Sequence, residues 1–270
     1  GILGPNGAGK TTTLQMLLGI LTPTSGAINV FGKDLSLHKS EILESMNFSS
    51  TYTDLPWRIT VAENLTWTSW LYKIDDRKKR LNKIKEIFRL DKIWHQPFGS
   101  LSAGQRTRVN LARSMVNFPK VLLLDEPTAS LDPEVATYMR EFFADQRTKF
   151  NTSIILTSHN MAEVEELCDR VIILKDGLVV GADSPANLAK KLEFSHLRLR
   201  VTKNSAELDK LITLRKLESL VDDKQYTITI KETLLPLFLY EVTKKNIGYT
   251  EISIDKPNLE DYFMKIAREK

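Results

Sequence analysis

The stretch Gly4-Pro5-Asn6-Gly7-Ala8-Gly9-Lys10-Thr11 is where this chain has the clearest capacity for chemistry. Its glycines let successive backbone N–H groups converge on one concavity, the physics of an anion nest. A helix is expected to follow over residues 11–18 and to bring the positive end of its dipole beneath that nest. Lys10 would reach the β- and γ-phosphates of a nucleoside triphosphate, and the Thr11 hydroxyl would ligate Mg²⁺, with Thr12 beside it. A plain Gly/Asn turn before a helix would need only one or two of these residues. The loop therefore implies a bound triphosphate, but not the work it drives.

Three further stretches carry polar groups where chemistry could use them. In Val121-Leu122-Leu123-Leu124-Asp125-Glu126-Pro127 an apolar strand ends in two carboxylates, at the sheet edge where α/β proteins place ligands. Asp125 would hold Mg²⁺ through its water shell, and Glu126 would orient and deprotonate an attacking water. A strand-end turn before Pro127 also tolerates both acids; the phosphate loop in the same chain favours the chemical reading. Ser100-Leu101-Ser102-Ala103-Gly104-Gln105 is a second Ser/Gly loop that opens a helix, with N–H groups and a serine hydroxyl but no lysine. Ile155-Leu156-Thr157-Ser158-His159 brings His159 to the strand-end edge, in reach of a γ-phosphate or of the water attacking it.

The elements that must position these residues read as strands alternating with helices. The run 121–124 is continuously apolar, as expected of a parallel strand buried on both faces, and 153–157 and 171–174 read as further buried strands. Asp176-Gly177 reads as a tight hairpin turn, and Ser184-Pro185 as the start of a closing helix. Residues 61–114 look like a helical insertion, its first segment carrying Trp67, Trp70, Leu71 and Tyr72. From about residue 195 the pattern changes to strict alternation, as in His196-Leu197-Arg198-Leu199-Arg200-Val201. The order there is β-α-β-β-α-β, that of a ferredoxin-like module. The predicted fold is α/β: a phosphate-loop NTPase core with a mostly parallel sheet and a helical insertion over 1–193, then a small α+β domain over 194–270.

Composition narrows the classes. A net charge of +4 over 270 residues is too mild and too evenly spread to argue for nucleic acid. The densest basic run, Arg77-Lys78-Lys79-Arg80, falls on a helix and reads as a solvated face. The single cysteine, Cys168, has no partner for an internal disulfide and sits at helical spacing with Val164, in keeping with core packing. No apolar run approaches the roughly 18–20 residues of a membrane span.

Taken together and in this order, the motifs resemble those of the nucleotide-binding subunit of an ABC transporter, over residues 1 to about 190. By that resemblance residues 4–11 are the Walker A loop, and residues 121–126 the Walker B strand with Glu126 as catalytic base. Residues 101–105 are the signature, Ser130-Leu131-Asp132 the D-loop and His159 the switch histidine. The resemblance further implies that Ser102, Ala103, Gly104, Gln105 and Asp132 serve the ATP held by the phosphate loop of a second copy. Two ATP molecules would then be sandwiched in a head-to-tail homodimer that drives membrane-spanning permease subunits from the cytoplasmic face. The closing stretch Asn258-Leu259-Glu260-Asp261-Tyr262-Phe263 resembles the end of accessory domains on multidrug-type exporters and favours export.

The match departs at three places. The family expects a glutamine near Thr51, where the chain reads Ser49-Ser50-Thr51-Tyr52-Thr53-Asp54; Ser50, Thr51 or Asp54 could substitute. The family also places two or three strands and an adenine-stacking aromatic ahead of the loop, so the chain is expected to be truncated at its front. Ala103 replaces a commoner glycine of the signature and keeps its N–H. Tyr52, Trp57, Trp67 and Trp70 could line the groove that receives a membrane partner, or could pack inside the insertion. A soluble ABC ATPase acting on ribosomes or nucleic acid is the alternative function, and a binding module without hydrolysis a third.

Overall fold

Short apolar runs and amphipathic helices give the first of two units, Gly1–Ala182, its sheet and flanking layers. The structure, a computed structural model, describes residues 1–50 and 54–268. In chain order this unit runs through β1 (Ile2–Leu3), α1 (Lys10–Leu17), β2 (Asn29–Val30), β3 (Lys33–Asp34), α2 (Lys39–Glu44) and β4 (Met46–Ser50). It continues with α3 (Val61–Trp70), α4 (Arg77–Ile87), α5 (Ala103–Ser114), β5 (Val121–Asp125), α6 (Pro133–Phe150), β6 (Ser153–Thr157), α7 (Met161–Leu167), β7 (Val171–Lys175) and β8 (Leu178–Asp183).

The six-stranded sheet has the order β4-β5-β6-β1-β7-β8, and its first five strands are parallel. β1 lies between β6 and β7, with Ile2 in register with both Thr157 and Ile172. Burial on both faces explains the unbroken Leu122, Leu123 and Leu124 of β5, each at most 1% exposed. Asp176 and Gly177 both have positive φ, the geometry that turns β7 tightly into β8. Under the sheet, Ile2, Ala8, Leu14, Ile42, Met46, Leu123 and Leu174 form one cluster that ties the phosphate-loop helix to the strands.

The helical insertion differs from expectation in which of its faces is buried. α3 begins with a capping box, Thr60 Oγ1 accepting from the Glu63 N–H while the Glu63 carboxylate accepts from the Thr60 N–H. It buries Val61, Asn64, Leu65, Thr68 and Ser69, while Trp67 and Trp70 stand 61% and 55% exposed. Core packing by these tryptophans is therefore excluded. The insertion is held instead by Leu65, Ile84, Phe88 and Phe98, all fully buried.

The second unit, Asp183–Lys270, comprises α8 (Pro185–Lys190), β9 (Phe194–Lys203), α9 (Ser205–Arg215), β10 (Glu218–Asp222), β11 (Gln225–Lys231), α10 (Leu235–Lys244), β12 (Gly248–Asp255) and α11 (Leu259–Arg268). Its four strands form an antiparallel sheet, β10-β11-β9-β12, in the β-α-β-β-α-β order read from the sequence. The alternating residues Leu197, Leu199 and Val201 of β9 and Tyr226, Ile228 and Ile230 of β11 all point to one core with Leu208, Leu211, Phe238 and Val242. On the opposite face His196 Nε2 lies 3.0 Å from Asp261 Oδ1, which fastens α11 to the sheet.

Candidate functional site

The phosphate loop is shaped by contacts that a side chain would not survive. A Cβ on Gly4 would lie 2.4 Å from the Leu174 carbonyl oxygen of β7. Gly7 and Gly9 have φ of +83° and +101°, left-handed values that turn the backbone N–H groups inward. Gly9 is the N-cap of α1, so the positive end of that helix opens directly onto the loop. Lys10 folds back into it, Nζ donating to the carbonyl oxygens of Gly4 at 2.6 Å and Pro5 at 3.1 Å. Partial burial holds its ammonium below the usual lysine value, while Glu126 and Asp125 act in the opposite direction. Those two carboxylates therefore lie within electrostatic range of the loop lysine. Thr11 and Thr12 are exposed at the start of α1.

Sheet register fixes the carboxylate that would serve a metal. Asp125 is buried, and Oδ1 accepts from Thr157 Oγ1 at 2.6 Å across the β5–β6 ladder. Ser50, directly opposite on β4, donates to Oδ2 at 3.4 Å. Ser50 was one of the residues considered in place of the missing glutamine. Thr51 and Tyr52 lie outside the described residues.

Glu126 has a φ of +53°, an unusual left-handed value that re-aims its side chain at the strand exit. Its N–H donates to the Thr157 carbonyl at 3.1 Å, which extends the ladder by one residue. Oε2 accepts from the His159 N–H at 3.2 Å, and His159 Nε2 stands 3.4 Å from Oε1. That last approach lacks hydrogen-bond geometry, so among the described residues Oε1 is a buried acceptor with no hydrogen-bond partner. A buried carboxylate oxygen left unsatisfied beside a phosphate loop is poised to accept a proton from a small donor such as water.

Lys10, Asp125, Glu126 and His159 are thus brought to one end of the parallel sheet. Ser102, Ala103, Gly104 and Gln105 open α5, and the cleft that Ala103 lines includes none of Lys10, Asp125, Glu126 and His159. Ser102 and Gln105 form a capping box: Ser102 Oγ accepts from the Gln105 N–H at 3.3 Å, and Gln105 Oε1 accepts from the Ser102 N–H at 2.9 Å. Since the serine hydroxyl is the acceptor there, its proton stays available for an incoming oxygen. Ala103 and Ser130 line one cleft of about 120 Å³, and a Cβ on Gly104 would come within 3.1 Å of the Ser130 carbonyl. Asp132 caps α6, accepting from the Val135 N–H at 3.0 Å.

Sequence reading missed the residues that orient the acids. Thr157 hides inside an apolar strand, and only the β5–β6 register reveals its bond to Asp125. Glu163 is 1% exposed, with burial pushing its carboxyl above the usual glutamate value. It accepts from Thr128 Oγ1 at 2.9 Å and from Ser158 Oγ at 2.5 Å. By contrast, the Ser102-x-x-Gln105 spacing is itself a capping-box signature and could have been found.

Comparison with known proteins now adds to this geometry. A family model described as ABC transporter matches residues 1–129. The bacitracin transport ATP-binding protein BcrA of Bacillus licheniformis is 30% identical over 288 residues, covering 98% of this chain and 87% of its own length. The linearmycin resistance ATP-binding protein LnrL of Bacillus subtilis is 27% identical over 277 residues, covering 99% and 88%. Among solved structures, an ATP-binding subunit of an ABC transporter superposes with a TM-score of 0.65 at 25% identity, covering 70% of this chain and 80% of its own. A dimeric ATP-binding cassette bound to ADP and Pi shares the fold, with a TM-score of 0.63 at 23% identity. The chain belongs to the ATP-binding proteins of ABC transporters. It binds ATP and is an ATP hydrolase of that type.

Proposed function

We propose that two copies of this chain close head to tail around two ATP molecules and that the cycle drives membrane-spanning permease subunits, in the direction of export. The observation that carries the reading is the convergence of Lys10, Asp125, Glu126 and His159 at one sheet edge, while Ala103 of the second Ser/Gly loop lines a cleft that includes none of these four. A second phosphate-seeking loop whose cleft excludes the first site's residues is in keeping with a sandwich between copies.

In this reading residues 4–12 cradle the phosphates, and Lys10 leaves the Gly4 and Pro5 carbonyls for the β- and γ-oxygens. Thr11 and Asp125 would hold Mg²⁺, which neutralises charge on the phosphates when bound. The donor set suits that ion: one buried carboxylate steered by two hydroxyls, and one exposed hydroxyl, leave the remaining positions to water and phosphate. Glu126 Oε1 takes the proton of the attacking water, and His159 holds the carboxylate and the γ-phosphate in line. Ser102, the backbone of Ala103 and Gly104, Gln105 and Asp132 cap the ATP of the partner copy.

Relatives named for bacitracin transport and linearmycin resistance, which match over nearly the whole chain, support the reading of export. The names of these relatives speak for transport, and no observation favours action on ribosomes or nucleic acid. Among the described residues no helix is long and apolar enough to cross a membrane, which accords with peripheral attachment to a permease at the cytoplasmic face. Trp57, Trp67 and Trp70 are more than half exposed, and the Trp67 and Trp70 rings meet edge to face at 4.8 Å. This aromatic surface suits a permease helix.

Size-exclusion chromatography of the full-length protein carrying Glu126→Gln, with and without Mg-ATP, tests the proposal. A shift from monomer to dimer that requires ATP is expected. ATP binding with no change of size would refute autonomous closure.

A further inference from the structure

Glu163 takes no part in the chemistry described above, yet it is the most enclosed carboxylate near the site. It stands in the first turn of α7, 1% exposed, and its two oxygens take one hydroxyl each. Oε1 accepts from Thr128, two residues after Glu126, and Oε2 accepts from Ser158, one residue before His159. Both donors are themselves buried. Ser158 Oγ is held in place by the Asn160 N–H at 3.0 Å.

These bonds close a ring. Its covalent arms run from Glu126 through Pro127 to Thr128 and from Ser158 to His159. Glu163 joins the two arms at one end, and the bond from the His159 N–H to Glu126 Oε2 joins them at the other. The β5–β6 ladder ends with the Glu126 N–H on the Thr157 carbonyl, and both chains turn away beyond it. Nothing in the ladder itself sets the spacing of the two turns. A carboxylate with one acceptor oxygen for each turn does so, and its burial keeps water from competing for either hydroxyl.

We propose that Glu163 is a positioning residue for ATP hydrolysis. It clasps the turn after Glu126 to the turn before His159 and so holds the base and the switch histidine at working distance. This rests on the reading of Glu126 and His159 given under Proposed function. Among the described residues none of the clasp's hydrogen bonds reaches the phosphate loop or α1, so it acts on the chemical step and leaves ATP binding alone.

Steady-state hydrolysis and ATP binding by the full-length protein decide the matter, with Glu163→Ala, Glu163→Gln, Thr128→Val and Glu126→Gln compared. Glu163→Ala is expected to lower kcat by about 10-fold or more while KM for ATP moves less than about twofold, since a misplaced catalytic pair loses rate rather than affinity. Glu163→Gln keeps an acceptor for one hydroxyl and a donor for the other, and recovers most of the rate. Thr128→Val reproduces part of the loss, and combining it with Glu163→Ala adds little, the signature of a shared linkage. A folded Glu163→Ala protein with unchanged kcat, or a loss confined to KM, overturns the proposal. If Glu163→Ala does not fold, an unchanged kcat in Thr128→Val overturns it equally. Should Glu126→Gln hydrolyse ATP normally, the underlying assignment of the base fails; a dead Glu126→Gln beside a fully active Glu163→Ala means that only the clasp is wrong.

Discussion

Replacing Gly4 by alanine tests whether the phosphate loop depends on its contact with β7. The new Cβ would lie 2.4 Å from the Leu174 carbonyl oxygen and 3.0 Å from Ala8 Cβ. Neither side can yield alone, because Leu3, the residue before, is in register with Ile173, the residue before Leu174. Relief to ordinary contact needs a separation of about 1 Å between the loop and the strand, a gap that forfeits up to about half of each packing contact across it. Overpacking of this kind costs about 1–3 kcal/mol of stability. A shift approaching 1 Å at a site that aligns phosphates lowers turnover by about 100-fold. Gly26→Ala is the control: φ there is +88° with no atom within 4 Å, so only the backbone cost of about 1–2 kcal/mol applies, away from the nest. Fluorescent-nucleotide titration, phosphate release and thermal melting are measured on both variants. Gly4→Ala that hydrolyses ATP within twofold of the parent, with an unchanged melting temperature, would refute the packing argument.

Phe143→Ala empties a fully buried position on α6 and should cost about 3–5 kcal/mol in urea unfolding; a loss under about 1 kcal/mol would contradict the packing of that helix. Trp67→Ala with Trp70→Ala should leave the melting temperature within about 2 °C, since both rings are more than half exposed, while weakening capture by the permease; a large loss of stability would mean that the rings support the fold. Glu163 gives a pH signature. Its folded value is raised chiefly by burial, with the Glu126 charge adding to the effect and the two hydroxyl bonds and Arg140 opposing it. A raised carboxyl favours the protonated folded state, so its contribution is present below the ordinary value of 4.5 and fades as pH rises through the raised one. The melting temperature of Glu163→Gln relative to the parent should therefore climb between mildly acidic and neutral pH, and a pH-independent difference would contradict the assignment.

Much of this site was legible in the chain because its chemistry is local. A glycine loop running into Lys-Thr, and an apolar run ending in two acids, carry their meaning within a dozen residues each. The parallel sheet was equally readable, since burial on both faces leaves strands such as residues 121–124 without a single polar residue. What escaped notice depends on register. Thr157 meets Asp125 because β6 lies beside β5 with those residues opposed, and Glu163 reaches Thr128 across 35 positions. The placement of Trp67 and Trp70 escaped for a different reason. Hydrophobicity suggests burial, but α3 turns Asn64, Thr68 and Ser69 inward, where hydroxyls and an amide bond back to nearby carbonyls.

The place of β1 in the sheet has a consequence for how the protein comes to exist. The strand that feeds the phosphate loop is only two residues long, and both of its neighbours arrive far later in the chain, at Thr157 and at Ile172. During synthesis the loop is made before β6 and β7, the two strands between which β1 lies. Contacts of such high sequence separation form late and slowly. A nascent chain ending before residue 170 would carry the whole phosphate loop without both of the strands that flank β1. The loop is therefore seated in its sheet only after β7 is made, and nucleotide can stabilise only chains that have finished that step.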